Sequence, residues 1–180
     1  MYYQIESDEH TMTAYLAREN HSSRSLIRGA FIDPAKEDLP YRVTYEDPRD
    51  NPLFDYYSGD NVMSKRMAEV LKKAGADNFQ EFATQMKNKR TGEVSDDFIT
   101  FNILGLVSCA RLDASNTTEL GSSYYFHDLV IDPAKVGDQL LFRLAESKIN
   151  VLVHARVAEA LKAANLRGLV LSPVEQKPPG

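Results

Sequence analysis

Few residues of this chain have the types and spacing that bond-making needs. The histidines are His10, His21, His127 and His154, and none stands near another histidine or a cysteine at metal-ligand spacing. At His127-Asp128 a carboxylate adjoins an imidazole, the pairing that orients a general base. On a strand, however, sequence neighbours point to opposite faces and the pair would diverge. Asp96-Asp97 and Asp47 with Asp50 come nearest to paired carboxylates. Acid–base work by such a pair needs one carboxyl kept protonated by an apolar setting, and neither pair has one. Cys109 ends an apolar run with nothing basic beside it to make a thiolate, so it reads as a small buried hydrophobe. There is no glycine-rich phosphate loop, G-x-S-x-G or H-E-x-x-H. The expectation is a binding surface with no catalytic, cofactor or metal residues. A site assembled in space around His127 and the acids is the enzymatic alternative.

One stretch has the ingredients of such a surface. Asp47-Pro-Arg-Asp-Asn-Pro-Leu-Phe-Asp-Tyr-Tyr-Ser-Gly-Asp60 holds four acids, one base and three aromatics. Asp47, Asp50, Phe54, Asp55, Tyr56, Tyr57 and Asp60 are therefore predicted to touch a partner, with Tyr124-Tyr-Phe126 as a second candidate. The net charge is −5 and unevenly placed: residues 1–60 carry twelve acids and six bases, residues 135–180 four acids and seven bases. Phosphate contacts demand basic surfaces, so nucleic acid is a poor partner and a basic protein a better one. No apolar run approaches the length of a membrane span. No secretory leader is evident, and the lone cysteine fits a reducing cytoplasm.

The elements behind these residues include a repeat. Arg66-Met-Ala-Glu-Val-Leu-Lys-Lys-Ala-Gly75 returns as Arg156-Val-Ala-Glu-Ala-Leu-Lys-Ala-Ala-Asn165, identical at six of the first nine positions. The first copy predicts a helix capped by the Ser64 hydroxyl, with Met67, Val70, Leu71 and Ala74 as its apolar stripe. Gly75 and Asn165 stop the two helices, being the residues most tolerant of the left-handed conformation at that position. A short Val-containing segment precedes each helix and a β-rich one follows. Strands are predicted at 2–6, 28–32 and 41–46, at 79–86, and at 97–109 as a central strand with both faces apolar. Further strands are expected at 129–132, 140–143, 149–153 and 168–174, with 111–127 as loop and 176–180 as tail. Strands and helices do not alternate strictly, so the fold class is α+β with a mixed, mostly antiparallel sheet and two related helices. At 180 residues the chain reads as one domain.

The order of certain motifs adds a resemblance. Ser58-Gly-Asp-Asn-Val-Met-Ser64, Asn78-Phe-Gln-Glu-Phe82, Phe101-Asn-Ile-Leu-Gly-Leu-Val-Ser-Cys-Ala-Arg-Leu-Asp-Ala-Ser115, Leu141-Phe-Arg-Leu144 and Ala164-Asn-Leu-Arg-Gly-Leu-Val-Leu-Ser-Pro173 follow one another over two thirds of the chain. In this the chain resembles the eleventh family of immunity proteins from bacterial polymorphic-toxin systems. The resemblance divides it into a family-like core at 61–175 and an acidic, variable part at 1–60. It implies a small cytoplasmic protein that binds and neutralises a cognate toxin, and a basic, nuclease-like toxin would suit the acidic surface. The motif residues read as structural, with Arg143 expected to form a buried ion pair with Asp113. The alternative to toxin binding is a structural module that uses the repeated helix as a homodimer seam.

Overall fold

The computed structural model describes residues 1–8, 10–11 and 14–178. Along the chain come β1 (Tyr2–Ser7), β2 (Tyr15–Arg18), the single turn α1 (Ser23–Leu26), β3 (Tyr41–Glu46), β4 (Tyr56–Tyr57), β5 (Val62–Ser64), α2 (Lys65–Lys73), β6 (Phe79–Asn88) and β7 (Val94–Ile103). They are followed by β8 (Leu106–Val107), β9 (Asn116–Leu120), β10 (Ser123–Asp128), β11 (Val130–Ile131), β12 (Leu141–Leu144), β13 (Val151–His154), α3 (Ala155–Ala163), β14 (Leu169–Pro173) and β15 (Glu175–Gln176). One sheet has the order β2-β3-β6-β7-β5-β4, the other β14-β1-β13-β12-β8. Pairing is antiparallel except at β3–β6, β8–β12 and the small β11–β15 pair. The fold is α+β with mixed, mostly antiparallel sheets.

The repeat extends beyond the helices. In each half a short strand turns directly into a nine-residue helix: β5 into α2 and β13 into α3. The capping residues have nearly the same backbone, φ −67 and ψ 150 at Ser64 against φ −65 and ψ 153 at His154. Ser64 Oγ accepts from Met67 N–H at 3.1 Å, and His154 Nδ1 from Arg156 N–H at 3.3 Å, each satisfying a first-turn donor. Both helices stop at a left-handed residue, Gly75 at φ 93 and Asn165 at φ 49. The strand orders correspond too, β6-β7-β5-β4 matching β14-β1-β13-β12. In this match the N-terminal strand β1 takes the place that β7 holds in the other half. Each helix also serves the other's end. Arg66 donates to the Ala164 carbonyl at the close of α3, while the Arg156 guanidinium lies 3.5 Å from where a Cβ on Gly75 would sit. Cations at helix C-termini complement the partial negative charge there.

The two apolar stripes turn into the chain, with Val70 and Ala160 half-buried at their margins. Met67, Ala68 and Leu71 of α2 and Val157, Ala158 and Leu161 of α3 are all buried. They join Ile5, Val153 and Leu141 from one sheet and Met63, Phe79 and Phe101 from the other in a single core cluster. Burying each large side chain contributes about 1.5–3 kcal/mol. Phe98, Thr100 and Asn102 on one face of β7 and Ile99, Phe101 and Ile103 on the other are all buried. This is the two-sided cover that the apolar pattern predicts.

Segment 28–32 departs from expectation. It lies beside the sheet without joining a ladder, because side-chain amides substitute for the missing strand. Gln80 Oε1 accepts from Ile32 N–H at 2.9 Å, Gln80 Nε2 donates to Ile32 O at 2.8 Å, and Asn102 Nδ2 donates to Ala30 O at 2.8 Å. Nearby, His21 stacks on Tyr41 with ring centroids 4.2 Å apart, and neither of its ring nitrogens has a hydrogen-bond partner. Burial lowers its pKa to about 4; Arg18 acts in the same direction and Glu37 against it. The unfolded chain takes up this proton near pH 6.5 and the folded chain only near 4, so stability is full above 6.5 and falls toward 4. Urea midpoints measured across that window should drop more in the wild type than in His21→Phe, which keeps the stack; equal drops would refute the assignment.

Candidate functional site

Within the predicted contact segment 47–60, residues 48–52 are exposed, while Asp47, Asp55, Tyr56 and Tyr57 are buried. Tyr56 and Tyr57 form β4 and are 1% and 2% exposed. Tyr56 stacks on Phe101 with centroids 6.0 Å apart, and the Tyr57 hydroxyl accepts from Phe54 N–H at 2.9 Å. The half-buried Phe54 ring lies over Gly168, where a Cβ would come within 2.1 Å of ring carbons, so only glycine fits there. Asp47 is buried and accepts from Arg49 N–H at 2.7 Å. Asp60 pairs with Arg18 at 2.7 Å, and its pKa is raised by burial with Arg18 opposing. Asp50, at φ 53, is exposed and paired with Arg90. Asp55, 8% exposed, takes the Ser64 hydroxyl at 2.5 Å on one oxygen and the Arg167 N–H at 2.8 Å on the other. Asp47, Asp55, Tyr56 and Tyr57 thus present little surface to a partner, whereas Asp50 is exposed and Phe54 and Asp60 are half-buried.

The expected Arg143–Asp113 ion pair does not form. Asp113 is exposed and takes a bidentate pair from Arg111 at 2.8 and 2.7 Å, which lowers its pKa to about 2. Arg143, 1% exposed, donates instead to the Lys148 carbonyl and, at 2.8 Å, to Asn61 Oδ1. An exposed loop carboxylate two residues from an arginine is satisfied locally, so it is not drawn to a distant cation.

The second aromatic stretch reaches the surface. Residues 116–128 form the hairpin β9–β10, turning at Gly121-Ser122, where the expectation is loop. The two-residue glycine turn between threonine- and aromatic-containing runs is the available signal for it. Ser115 pins the hairpin's base, its Oγ donating to Arg111 O at 2.7 Å and accepting from Val130 N–H at 3.0 Å. Farther out, Tyr124 N–H donates to Glu146 O at 3.0 Å. Phe126 packs on the second core cluster, which includes Tyr2, Phe142, Ile131 and the fully buried Cys109. Burial, then Glu146 and Asp132, push the Cys109 thiol up to about 12, far from a reactive thiolate.

Between this hairpin and the β1–β14 end of the five-stranded sheet runs an open groove of about 480 Å³. It is lined by Gln4, Glu6 and Ser172 from the sheet, by Tyr125, His127 and Asp128 from the hairpin, and by Glu175. The Glu6 carboxylate accepts from Gln4 Nε2 at 2.8 Å, and the Asp128 carboxylate from Asn116 Nδ2 at 3.3 Å. Glu175 pairs with Lys177 at 2.7 Å; among the described residues neither Glu6 nor Asp128 has such a cation. His127 Nε2 and Thr118 Oγ1 are 3.0 Å apart, and Tyr125 stands edge-on to the imidazole at 5.0 Å. Glu6 and Glu175 join the site from opposite ends of the chain, with no local signature to mark them. Among the described residues no group of three histidine, cysteine or acidic side chains is gathered to hold a metal. No helix among them is long and apolar enough to cross a membrane.

A family model described as "Immunity protein family (Imm11)" matches residues 2–176. The match takes in the acidic N-terminal part, in keeping with the position of β1 between β13 and β14. No curated protein sequence matches the chain.

Proposed function

Because this chain belongs to the Imm11 immunity protein family, we propose that it neutralises a cognate toxin domain by direct binding, without catalysis of its own, through the groove beside β10. The observation that carries this reading is the grouping of Glu6, Asp128 and Glu175 around Tyr125 and His127 on a firmly anchored hairpin. Aromatic side chains supply contact area at little entropic cost, and carboxylates supply steering and register. A basic, nuclease-like toxin complements such a groove, since phosphate-binding surfaces are positive. The encounter belongs in the cytoplasm of the bacterium that makes both proteins. A homodimer through the repeated helices has less to support it, because both stripes turn into the core. The bonds that the groove's acids and imidazole make with side-chain amides and a hydroxyl suit a contact surface better than acid–base chemistry.

Co-expression with the toxin encoded by the neighbouring gene should restore growth and yield a complex on gel filtration. Continued killing together with separate elution would end the reading. The groove is tested by Glu6→Lys combined with Asp128→Lys. Both positions are exposed, so the melting temperature should hold while the toxin dissociation constant rises at least about tenfold. An unchanged constant would move the interface elsewhere.

A further inference from the structure

β14 ends the five-stranded sheet. It bonds to β1 on one side, and among the described residues no strand pairs with its other side. Two bonds fix its phase: Asp8 N–H to Gly168 O at 3.0 Å, and Val174 N–H to Tyr2 O at 3.0 Å. In an antiparallel pair the bonded positions alternate, so residues 168, 170, 172 and 174 turn their backbone groups toward β1. The N–H and C=O groups of Leu169 and Leu171 therefore face outward. Exposed edges are usually blunted by lysine, an inward charge or a bulge. Leu169-Val-Leu-Ser-Pro173 has none of these; only Pro173, at its end, withholds a donor.

The two faces of this edge differ in chemistry. On the α3 side, Leu169 and Leu171 border a groove of about 290 Å³ shared with Leu161, Lys162, Asn165 and Leu166. On the other side, Val170 and Ser172 stand opposite Glu6 and Gln4 of β1, beside the acidic groove described above. A strand laid against β14 would send alternate side chains to these two faces. We propose that β14 is a docking edge that an extended segment of the partner joins as an added strand, its side chains alternating between aliphatic and basic. The aliphatic ones cover the leucines, the basic ones meet Glu6, Asp128 and Glu175, and the ladder forms on Leu169 and Leu171. A second copy of this chain fits worse. An antiparallel β14–β14 pair would extend each face into its own copy, acid beside acid.

The toxin as owner of the segment rests on the proposed function, whereas the docking edge can be tested without a toxin. The probe is an end-capped nine-residue peptide alternating valine and lysine. At saturation, amide exchange at Leu169 and Leu171 should slow about tenfold or more, with little change at Val170 and Ser172, which already bond to β1. A peptide methylated on alternate backbone nitrogens should give no slowing, and a valine–glutamate peptide should bind at least about tenfold more weakly. No slowing at millimolar valine–lysine peptide would overturn the proposal. So would equal slowing by the methylated peptide, or slowing that grows with protein concentration alone. A toxin complex that leaves these two amides unprotected would also overturn it while sparing the toxin reading. Protection by the peptide without any toxin complex would sink only the toxin reading.

Discussion

Replacing Asp55 by alanine should lower the melting temperature by roughly 10 °C while leaving toxin affinity, measured well below that temperature, unchanged. The Asp55 carboxylate is buried and takes hydrogen bonds from the Ser64 hydroxyl and the Arg167 amide. Its backbone adds two more, from Asp55 N–H to Arg167 O at 2.9 Å and from Ser64 N–H to Asp55 O at 2.8 Å. Asp55 thus ties the cap of α2 to the loop that follows α3, one residue joining both copies of the repeat. Hydrogen bonds to charged groups contribute about 1.5–3 kcal/mol each, so losing both costs roughly 3–5 kcal/mol. For a chain of this size each kcal/mol moves the midpoint by about 2–4 °C. Differential scanning calorimetry reads the loss, and calorimetric titration with the toxin reads the affinity. A stable variant with weakened binding would return Asp55 to the contact surface.

Asp55 also shows what could be read from residue order and what could not. Helix α2, its serine cap and its glycine stop were legible because capping and 3.6-residue spacing are properties of neighbours. Strand β3 was legible from alternation and β7 from apolar residues on both faces. The acids and aromatics of 47–60 have an interface's composition, but composition does not distinguish a solvated carboxylate from one bonded to amides distant in sequence. Arg167 lies 112 positions from Asp55, and only the folded chain brings them together. The same holds for the groove, since Glu6 enters on β1 and Glu175 just after β14. The hairpin at 116–128 is harder to read because β9 is polar and largely exposed and β10 has no apolar–polar alternation, leaving the Gly121-Ser122 turn as the signal. Segment 28–32 has β-type residues, but these do not create a partner strand, and two side-chain amides take the backbone groups that a strand would have used.

Arg143 carries the second large effect, and its partners decide the sign of each substitution. Its guanidinium is buried, with no carboxylate among the acceptors that its hydrogen bonds name. Burial lowers its pKa, and its Nε, like the Tyr56 hydroxyl nearby, has no hydrogen-bond partner. Arg143→Ala strands the Asn61 side chain and the Lys148 carbonyl, about 1–3 kcal/mol each, and leaves a cavity besides. A total loss of roughly 3–5 kcal/mol is expected from urea denaturation. Arg143→Met should lose clearly less, because it keeps the volume and removes the cost of burying an uncompensated charge. Asp113→Ala should leave the midpoint in place, since the exposed Arg111–Asp113 pair is solvent-screened. The double variant of Arg143 and Asp113 should then equal the sum of its parts, as distant sites do. A coupling energy near the size of the Arg143 effect would mean that the two residues meet after all, and the link between Arg143 and Asn61 would have to give way.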